Sequence, residues 1–481
     1  MKLCTHRQGV DVGHVRVFKH YIHLPYLILG LVDFVVLKAA FCVTVFFKYF
    51  GDPDFFIANL GFVLPSGIVF AALALLVMIA IGVYPSRLHE GMSGMMLRSI
   101  LALFISLPLS GMAYLLADEW LWYLGGGGVL TTSSVLGVFF LGIARVLFYA
   151  LVNKDNFKRN VLILGAGLRA RQLFEDFQTP FNRKGFVLAG FVPLVGEPPQ
   201  IATEKLISPH TSLQHYTLTN DISEIVVAVD DRRKGLPMED LLECKMDGVR
   251  VVEGTTFYER ESRKVALEMV SHSWLVFSDG FAVSTVSGAG KRALDIVASG
   301  VLLLVGFPLM LLTAVAIKIE DGWRAPVFYS QERVGLNGKI FKVYKFRSMD
   351  INAEKNGAVW AQKNDTRVTK VGAFIRKMRI DELPQIFNVF NGSMAFVGPR
   401  PERPVFVEQL AKSIPFYNER HRVKPGITGW AQLCFAYADN EEDTREKLRY
   451  DLYYIKNHSL LLDLLIIIQT VEVVLFKKGS R

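Results

Sequence analysis

The chain has 481 residues, 51% of them hydrophobic and 21% charged, with a mean hydropathy of +0.30. That balance excludes an ordinary soluble enzyme and calls for several membrane segments, while the length allows two or three domains. The formal net charge of +9 fits anionic partners such as lipid headgroups, nucleotides or nucleic acid, and four scattered cysteines (Cys4, Cys42, Cys244, Cys434) give neither a disulfide framework nor a zinc spacing.

Four apolar stretches fill the first third, at approximately 24–47, 61–84, 97–117 and 128–151. Each is close to the ~20 residues that cross a bilayer core. The first begins too late and runs too long for a cleavable signal. Asp33 and Lys38 lie inside it. Charge in a membrane is costly, so these two are expected to pair or to face neighbouring helices. Lys2, Arg7, Arg16 and Lys19 precede the first span, and Asp52 and Asp54 follow it. The second loop carries Arg87 and ends at Arg98; the third carries Asp118 and Glu119 beside the run Gly125–Gly128; Lys154, Lys158 and Arg159 follow the fourth span. This alternation predicts a cytoplasmic N-terminus and a cytoplasmic chain beyond residue 151.

Residues 156–285 read as a Rossmann-like α/β unit. "NVLILGAGLRARQLF" is an apolar strand, a glycine turn and a helix start, and Gly165, Gly167 and Ala170 fit G-x-G-x-x-G/A. "GFVLAGFVPL", "SEIVVAVDD" and "GVRVVEG" supply further strands. Where an acidic residue would hold a ribose, "FVPLVGEPPQ" stands instead. Gly165 and Gly167 are therefore candidate cofactor-binding positions, and a structural or regulatory module is the competing reading.

A further apolar run, "GKRALDIVASGVLLLVGFPLMLLTAVAIKIEDG", is uncharged between Asp295 and Lys318, with Pro308 near its middle. A proline removes a backbone hydrogen bond and kinks a helix. The run is either a fifth, kinked span or a re-entrant helix that enters and leaves by one face. The remainder is polar and rich in Lys and Arg, which favours the cytoplasmic side. "SLLLDLLIIIQTVEVVLF", interrupted by Asp463 and Glu472, reads as an amphipathic helix at the membrane surface.

The chemistry concentrates in this last part. In "KMRIDELPQIF", Asp381 and Glu382 follow Arg376, Lys377 and Arg379. Alone, the pair is either a solvated ion-pair cluster or a nucleophile beside an anion site. It stands among "KRALDI", "QERVGLNGKIFKVYKFRSM", "NDTRVTKVGAFIRKMRIDELPQIFNV", "VGPRPE" and "KPGITGWAQ". In that order these motifs resemble the bacterial sugar transferase domain of the polyprenyl-phosphate glycosyl-1-phosphate transferases, over roughly 285–481. Four spans and a Rossmann-like middle domain resemble the large form of that family.

The resemblance implies a three-part membrane protein: residues 1–155 as four transmembrane helices, 156–285 as the Rossmann-like unit, and 286–481 as a mostly α monotopic catalytic domain. It selects the re-entrant reading, with a Pro-broken helix over about 291–320, although Phe307 stands where small family members carry serine. It implies transfer of a sugar-1-phosphate from a UDP-sugar to undecaprenyl phosphate with release of UMP, at the bacterial inner membrane. Exopolysaccharide, capsule or O-antigen assembly is the natural setting, and large members suggest a homodimer.

By the family pattern Asp381 is the nucleophile that carries the phosphosugar, and Glu382 assists as a metal positioner or an acid/base. On an α-helix, adjacent residues point about 100° apart, so the two need not share one task. Arg376 matches the family's phosphate-binding arginine, and Arg379, Arg400 and Lys345 or Arg347 are further candidate phosphate or substrate ligands, with lipid-headgroup anchoring as the competing reading of Lys345 and Arg347. Mg²⁺ bridging Asp381, Glu382 and the diphosphate is expected, because that ion takes one or two carboxylates plus phosphates. Lys291 and Arg292 read as interfacial anchors; Pro399, Pro425 and Gly426 as turn formers.

Two other functions compete. A membrane-bound nucleotide-sugar dehydratase needs a Tyr-x-x-x-Lys-type site, which no tyrosine here provides, and leaves 320–481 unexplained. A nucleotide-sensing membrane scaffold would be indifferent to Asp381. A nucleic-acid binder finds no recognised module.

Overall fold

The structure is a computed structural model that describes residues 14–17, 20–48, 54, 57, 60–84, 92–116, 128–152, 159–178, 185–208, 212–231, 235–270, 285–350, 367–435 and 440–476. Of the flanking charges weighed above, Lys2, Arg7, Lys19, Asp52, Arg87, Asp118, Glu119, Lys154 and Lys158 lie outside the described residues. Two compact units divide the chain, one essentially up to Glu261 and one from Ser262 onward.

In the first unit, four helices fall on the four apolar stretches: α1 (Leu24–Lys48), α2 (Leu60–Ala80), α3 (Met92–Leu116) and α4 (Val129–Val152). Each is long and apolar enough to cross a membrane. They pack as a ring, α1 on α2, α2 on α3, α3 on α4 and α4 back on α1. Leu37, Phe41, Phe70, Ala74 and Leu103 fill the centre, while Val35, Phe104 and Val135 point outward. Asp33 finds its partner 112 residues away. Arg145 Nη1 and Nη2 reach its two oxygens at 2.8 and 2.9 Å, and Tyr84 donates to Oδ2 at 2.5 Å. Arg98 is also committed to the protein: it is buried and donates to the Ile81 carbonyl at 2.7 Å.

The same unit holds a parallel four-stranded sheet: β1 (Arg159–Leu164), β2 (Phe186–Val192), β3 (Glu224–Val227) and β4 (Arg250–Glu253), in the order β2-β1-β3-β4. Helices α5 (Leu168–Asp176), α6 (Leu213–Thr219), α7 (Met238–Met246) and α8 (Gly254–Ser262) alternate with the strands. The strands are apolar runs because a parallel sheet is covered on both faces. Arg159 is no membrane-flanking cation. It is buried in β1 and bridges Glu224 and Glu261 at 2.8 and 2.6 Å.

The second unit begins ahead of the expected boundary at 285. Val265 and Leu267 are buried in its core with Leu448 and Tyr453, and the Trp430 indole donates to the Arg263 carbonyl at 3.1 Å. Helix α9 (Thr285–Asp321) then runs 37 residues. Where a Pro-broken helix was expected, helical residues continue through the exposed Pro308, so a re-entrant course needs a bend at the proline and not an interruption of the helix. A proline removes one i→i−4 bond and need not end a helix when its ring points away from the packed side.

Both ends of α9 are fixed to this same unit. Near its start Lys291 pairs with Asp463 at 2.7 Å, Arg292 donates to the carbonyls of Val389 and Phe390, and Asp295 accepts from the Phe396 amide at 2.9 Å. At its end Asp321 pairs with Arg347 at 2.6 Å. Lys291 and Arg292 are thus docking residues of the unit, where interfacial anchors were expected. Between the ends, Leu304, Val305 and Ile319 are more than 70% exposed, which marks an unpartnered apolar face.

The rest of the unit supplies the antiparallel hairpin β5 (Phe328–Val334) and β6 (Ile340–Phe346), then α10 (Lys370–Lys377), a 3₁₀ turn (Ile380–Gln385) and α11 (Ile386–Phe390). A short parallel pair, β7 (Ala395–Val397) with β8 (Gly426–Thr428), brackets α12 (Pro404–Ser413). The unit closes with α13 (Trp430–Cys434), α14 (Glu441–Asn457) and α15 (Leu460–Phe476). On α15, Leu462 and Ile466 are buried and Leu464 and Val471 exposed, so its faces differ as an amphipathic helix requires.

Candidate active site

Asp381 and Glu382 sit on the 3₁₀ turn, immediately after α10. The turn is set by its neighbours. Arg379 adopts a left-handed φ of 57°, which redirects the chain out of α10, and Pro384 has no N–H to offer an α-helical bond. Adjacent residues on a 3₁₀ turn point about 120° apart. The two carboxylates accordingly meet different surroundings.

Glu382 is held by cations. Arg400 Nη2 reaches its Oε1 at 2.7 Å, Lys345 Nζ reaches the same oxygen at 3.1 Å, and Arg379 lies 3.9 Å from Oε2. Burial alone would raise its pKa. The charges of Arg400, Lys345 and Arg379 outweigh that and hold its carboxyl well below the usual range. Asp381 is 8% exposed and makes no direct hydrogen bond or ion pair among the described residues. Burial and then the Glu382 charge push its carboxyl up, opposed by Lys345, Arg400 and Arg376. Adjacent groups are thus driven in opposite directions, the pattern that assigns different tasks to two carboxylates.

Each cation is positioned by its element. Lys345 lies on β6, whose outer edge is clamped by the buried Asn388 of α11. That side chain accepts from the Tyr344 amide at 3.0 Å and donates to the Lys342 carbonyl at 2.7 Å. Arg376 lies in the last turn of α10. The N-terminus of α10 is capped by Thr369 and by Glu320 of α9, whose oxygens accept from the amides of Lys370 and Val371 at 2.8 and 2.9 Å. Arg400 follows β7 in "GPRP". A Cβ at Gly398 would collide with the Lys424 carbonyl, and one at Gly429 with the Gly398 carbonyl. Glycine is needed here for close approach of two backbones. Gly426 serves the same purpose, where a turn was expected.

Of the residues singled out by sequence, the structure gathers Asp381, Glu382, Lys345, Arg379 and Arg400, with Arg376 near enough to act on Asp381 electrostatically. Arg347 stands apart: it is buried and paired with Asp321 at the end of α9. Sequence reasoning missed Asn388, Glu320 and Asp321. "KIED" at the end of the apolar run was the one visible signal for the last two.

The residues present fit Mg²⁺ at one carboxylate. Asp381 is free to ligate, whereas the Glu382 oxygens are engaged by cations. Among the described residues no group of three or more acidic, His or Cys side chains forms a metal cage. A metal would therefore arrive shared with a diphosphate, as Mg²⁺ commonly does.

The glycine loop in the first unit is differently occupied. Gly165 has φ 115° and lies against the Ala228 carbonyl. The amides that would face a phosphate are taken by carboxylates of the protein: Asp230 accepts from Leu168 and Arg169, each at 2.9 Å, and Glu197 accepts from Ala166 at 3.1 Å. A Cβ on Gly167 would strike both acids.

Helices apolar and long enough to cross a membrane, and an adjacent carboxylate pair ringed by lysine and arginine, define the class as a membrane protein with a strongly charged site. The family profile described as bacterial sugar transferase matches residues 286–477. The undecaprenyl-phosphate galactose phosphotransferase of Salmonella typhimurium is 30% identical over 376 residues, covering 73% of this chain and 74% of its own length. The UDP-N-acetylgalactosamine-undecaprenyl-phosphate N-acetylgalactosaminephosphotransferase of Aeromonas hydrophila is 52% identical over 191 residues, and the UDP-glucose:undecaprenyl-phosphate glucose-1-phosphate transferase of Klebsiella pneumoniae 45% over 183. The chain matches 45% and 39% of the lengths of those two proteins. It belongs to the bacterial sugar transferase family, among the polyprenyl-phosphate glycosyl-1-phosphate transferases.

Proposed function

We propose that this protein transfers a sugar-1-phosphate from a UDP-sugar to undecaprenyl phosphate at the cytoplasmic face of the bacterial inner membrane, releasing UMP and starting a surface glycan such as exopolysaccharide, capsule or O-antigen. The observation that carries the reading is a buried Asp381 left unengaged beside a Glu382 saturated with cations.

Both reactants are anionic phosphates, so direct attack meets like-charge repulsion, and a covalent relay divides one hard encounter into two. An Asp381 oxygen attacks the phosphorus that bears the sugar. The bond from that phosphorus to the bridging oxygen breaks, and UMP leaves with the electron pair. An oxygen of undecaprenyl phosphate then attacks the same phosphorus, the aspartyl–phosphorus bond breaks, and Asp381 returns as carboxylate. Lys345, Arg376, Arg379 and Arg400 stabilise charge on the phosphate oxygens. Glu382 stays ionised and orients Arg400 and Lys345, which suits it poorly to carrying protons. Mg²⁺, when bound at Asp381 with the diphosphate, would neutralise part of its charge.

The same reading gives α9 a re-entrant course. Its two ends are bonded to one compact unit and its exposed middle is apolar, as a helix that dips into one leaflet requires. The β2-β1-β3-β4 sheet is a Rossmann-like module in a structural role, since Asp230 and Glu197 fill its loop. Homodimerisation belongs to the same proposal.

Membranes holding the protein, incubated with a panel of UDP-sugars, undecaprenyl phosphate and Mg²⁺, should release UMP with one donor. Asp381→Asn should abolish release at normal expression, and labelled donor should leave an adduct on the Asp381 peptide of the wild type. Full turnover in Asp381→Asn would remove that residue from its role.

A further inference from the structure

The segment that carries Arg400 has no regular structure of its own, yet almost every carbonyl in it is held by a different element. Val397 accepts from Lys291 Nζ at 3.0 Å and from the Tyr454 hydroxyl at 3.1 Å; Pro399 accepts from the Gly426 amide at 3.0 Å. Pro401 accepts from Arg333 Nη1 at 3.2 Å, and Glu402 from the Val334 amide at 3.0 Å. The Arg400 carbonyl accepts from Arg420 Nη2 at 3.0 Å. Two of these donors are backbone amides and two, Lys291 and Arg333, are partly exposed side chains, which leaves Tyr454 and Arg420 as the buried side-chain donors. Arg420 is the one that reaches the Arg400 carbonyl itself; it is 6% exposed and held from behind, the same Nη2 lying 2.9 Å from Asp451 of α14, itself 3% exposed, and Nη1 donating to the Tyr417 hydroxyl at 2.7 Å.

A buried ion pair is weak evidence for stability, because taking two charges out of water offsets most of their attraction. Its specific product is geometry. A planar guanidinium fixed on three sides has one orientation, and here that orientation sets the backbone oxygen of the residue whose side chain grips Glu382 at 2.7 Å. We propose that Arg420 and Asp451 are positioning residues that brace Arg400 against Glu382, resting on the reading of Asp381 and Glu382 as the reacting site. Asp451–Arg420–Arg400–Glu382 is then a continuous polar line from the core of the unit to the residue beside the nucleophile.

Arg420→Lys keeps a positive charge opposite Asp451 and loses the planar fork that serves Arg400 and Tyr417 together. Asp451→Asn keeps shape and removes the anchoring charge. Each is made in the full chain, alone and in an Arg400→Ala background, and kcat and KM for UMP release are measured with the active donor and undecaprenyl phosphate. In the otherwise wild-type chain kcat should fall about 10- to 100-fold, the scale of a misplaced catalytic group, with KM within about twofold. In the Arg400→Ala background the same substitutions should change kcat less than about twofold, because the residue they act through is gone. A mere fold-stabilising role predicts equal losses in both backgrounds, and that result, or an unchanged kcat in the first background, would overturn the brace. If the unsubstituted protein releases no UMP from any donor, the function reading falls and the brace with it, an outcome distinct from either of those two.

Discussion

Replacing Asn388 tests whether the cation beside Glu382 is placed by the strand that carries it. The Asn388 amide acts as a one-residue strand partner for β6, accepting from Tyr344 and donating to the Lys342 carbonyl, and it is 1% exposed. Leucine fills nearly the same volume and offers neither group, so the Tyr344 amide and the Lys342 carbonyl lose their partners beside a buried apolar side chain. Each orphaned group costs about 1–3 kcal/mol, or about 2–6 kcal/mol together. For a unit of this size, at about 2–4 °C per kcal/mol, that lowers the unfolding midpoint by roughly 4–24 °C. Asn388→Ala opens room for water to replace part of the amide, so its cost should be smaller, about 1–3 kcal/mol. The assay is thermal unfolding of the detergent-purified chain by tryptophan fluorescence, with UMP release measured well below the midpoint. Both variants should lose turnover, because Lys345 lies one residue beyond the clamped pair. The reasoning is refuted if Asn388→Leu melts with the wild type, or if leucine proves milder than alanine.

On the proposed mechanism the attacking form of Asp381 is the carboxylate, and burial followed by the Glu382 charge raises its pKa, so activity should fall on the acid side at a higher pH than for an ordinary aspartate. Lys345→Met removes an opposing charge and should move that limb to higher pH, while Glu382→Gln should move it lower; pH profiles of kcat/KM with either sign reversed would contradict the assignment. In the membrane helices, Asp33→Ala should strand the buried Arg145 at a cost of about 3–5 kcal/mol, and the double replacement Asp33→Leu with Arg145→Met should recover most of it, read as the midpoint of the purified chain. Equal midpoints for the single and double variants would show that the pair is not coupled.

What the sequence made legible followed from patterns that repeat along the chain. Apolar runs near the length of a bilayer core located α1–α4 to within a few residues, and strand–glycine–helix spacing located β1 and α5. The carboxylates and their cations were visible because they stand inside motifs. What stayed hidden was pairing at long range. Nothing local tells that Asp33 awaits Arg145, that Lys291 awaits Asp463, or that Arg347 pairs with Asp321. The glycine fingerprint shows the converse. It specifies a tight turn and close packing, which Gly165 and Gly167 provide, but the ligand at those amides depends on Asp230 and Glu197, more than 30 residues away.

The two ends of α9 give the apolar helix a part in the chemistry. Asp321 pairs with Arg347 two residues beyond Lys345, and Glu320 caps the helix whose last turn carries Arg376. At the other end Lys291 and Asp295 hold β7, which leads into Arg400. Three cations around the carboxylates are therefore referenced to one helix, from opposite ends. A helix that only anchored the unit would need no such bonds, since its exposed Leu304, Val305 and Ile319 supply the apolar surface. On the proposed function, tying the cations to it would hold the groups that stabilise phosphate charge at a constant depth relative to the surrounding lipid. An acceptor whose phosphate sits at the membrane surface then meets Asp381 with little searching, which is the part of the barrier that positioning removes.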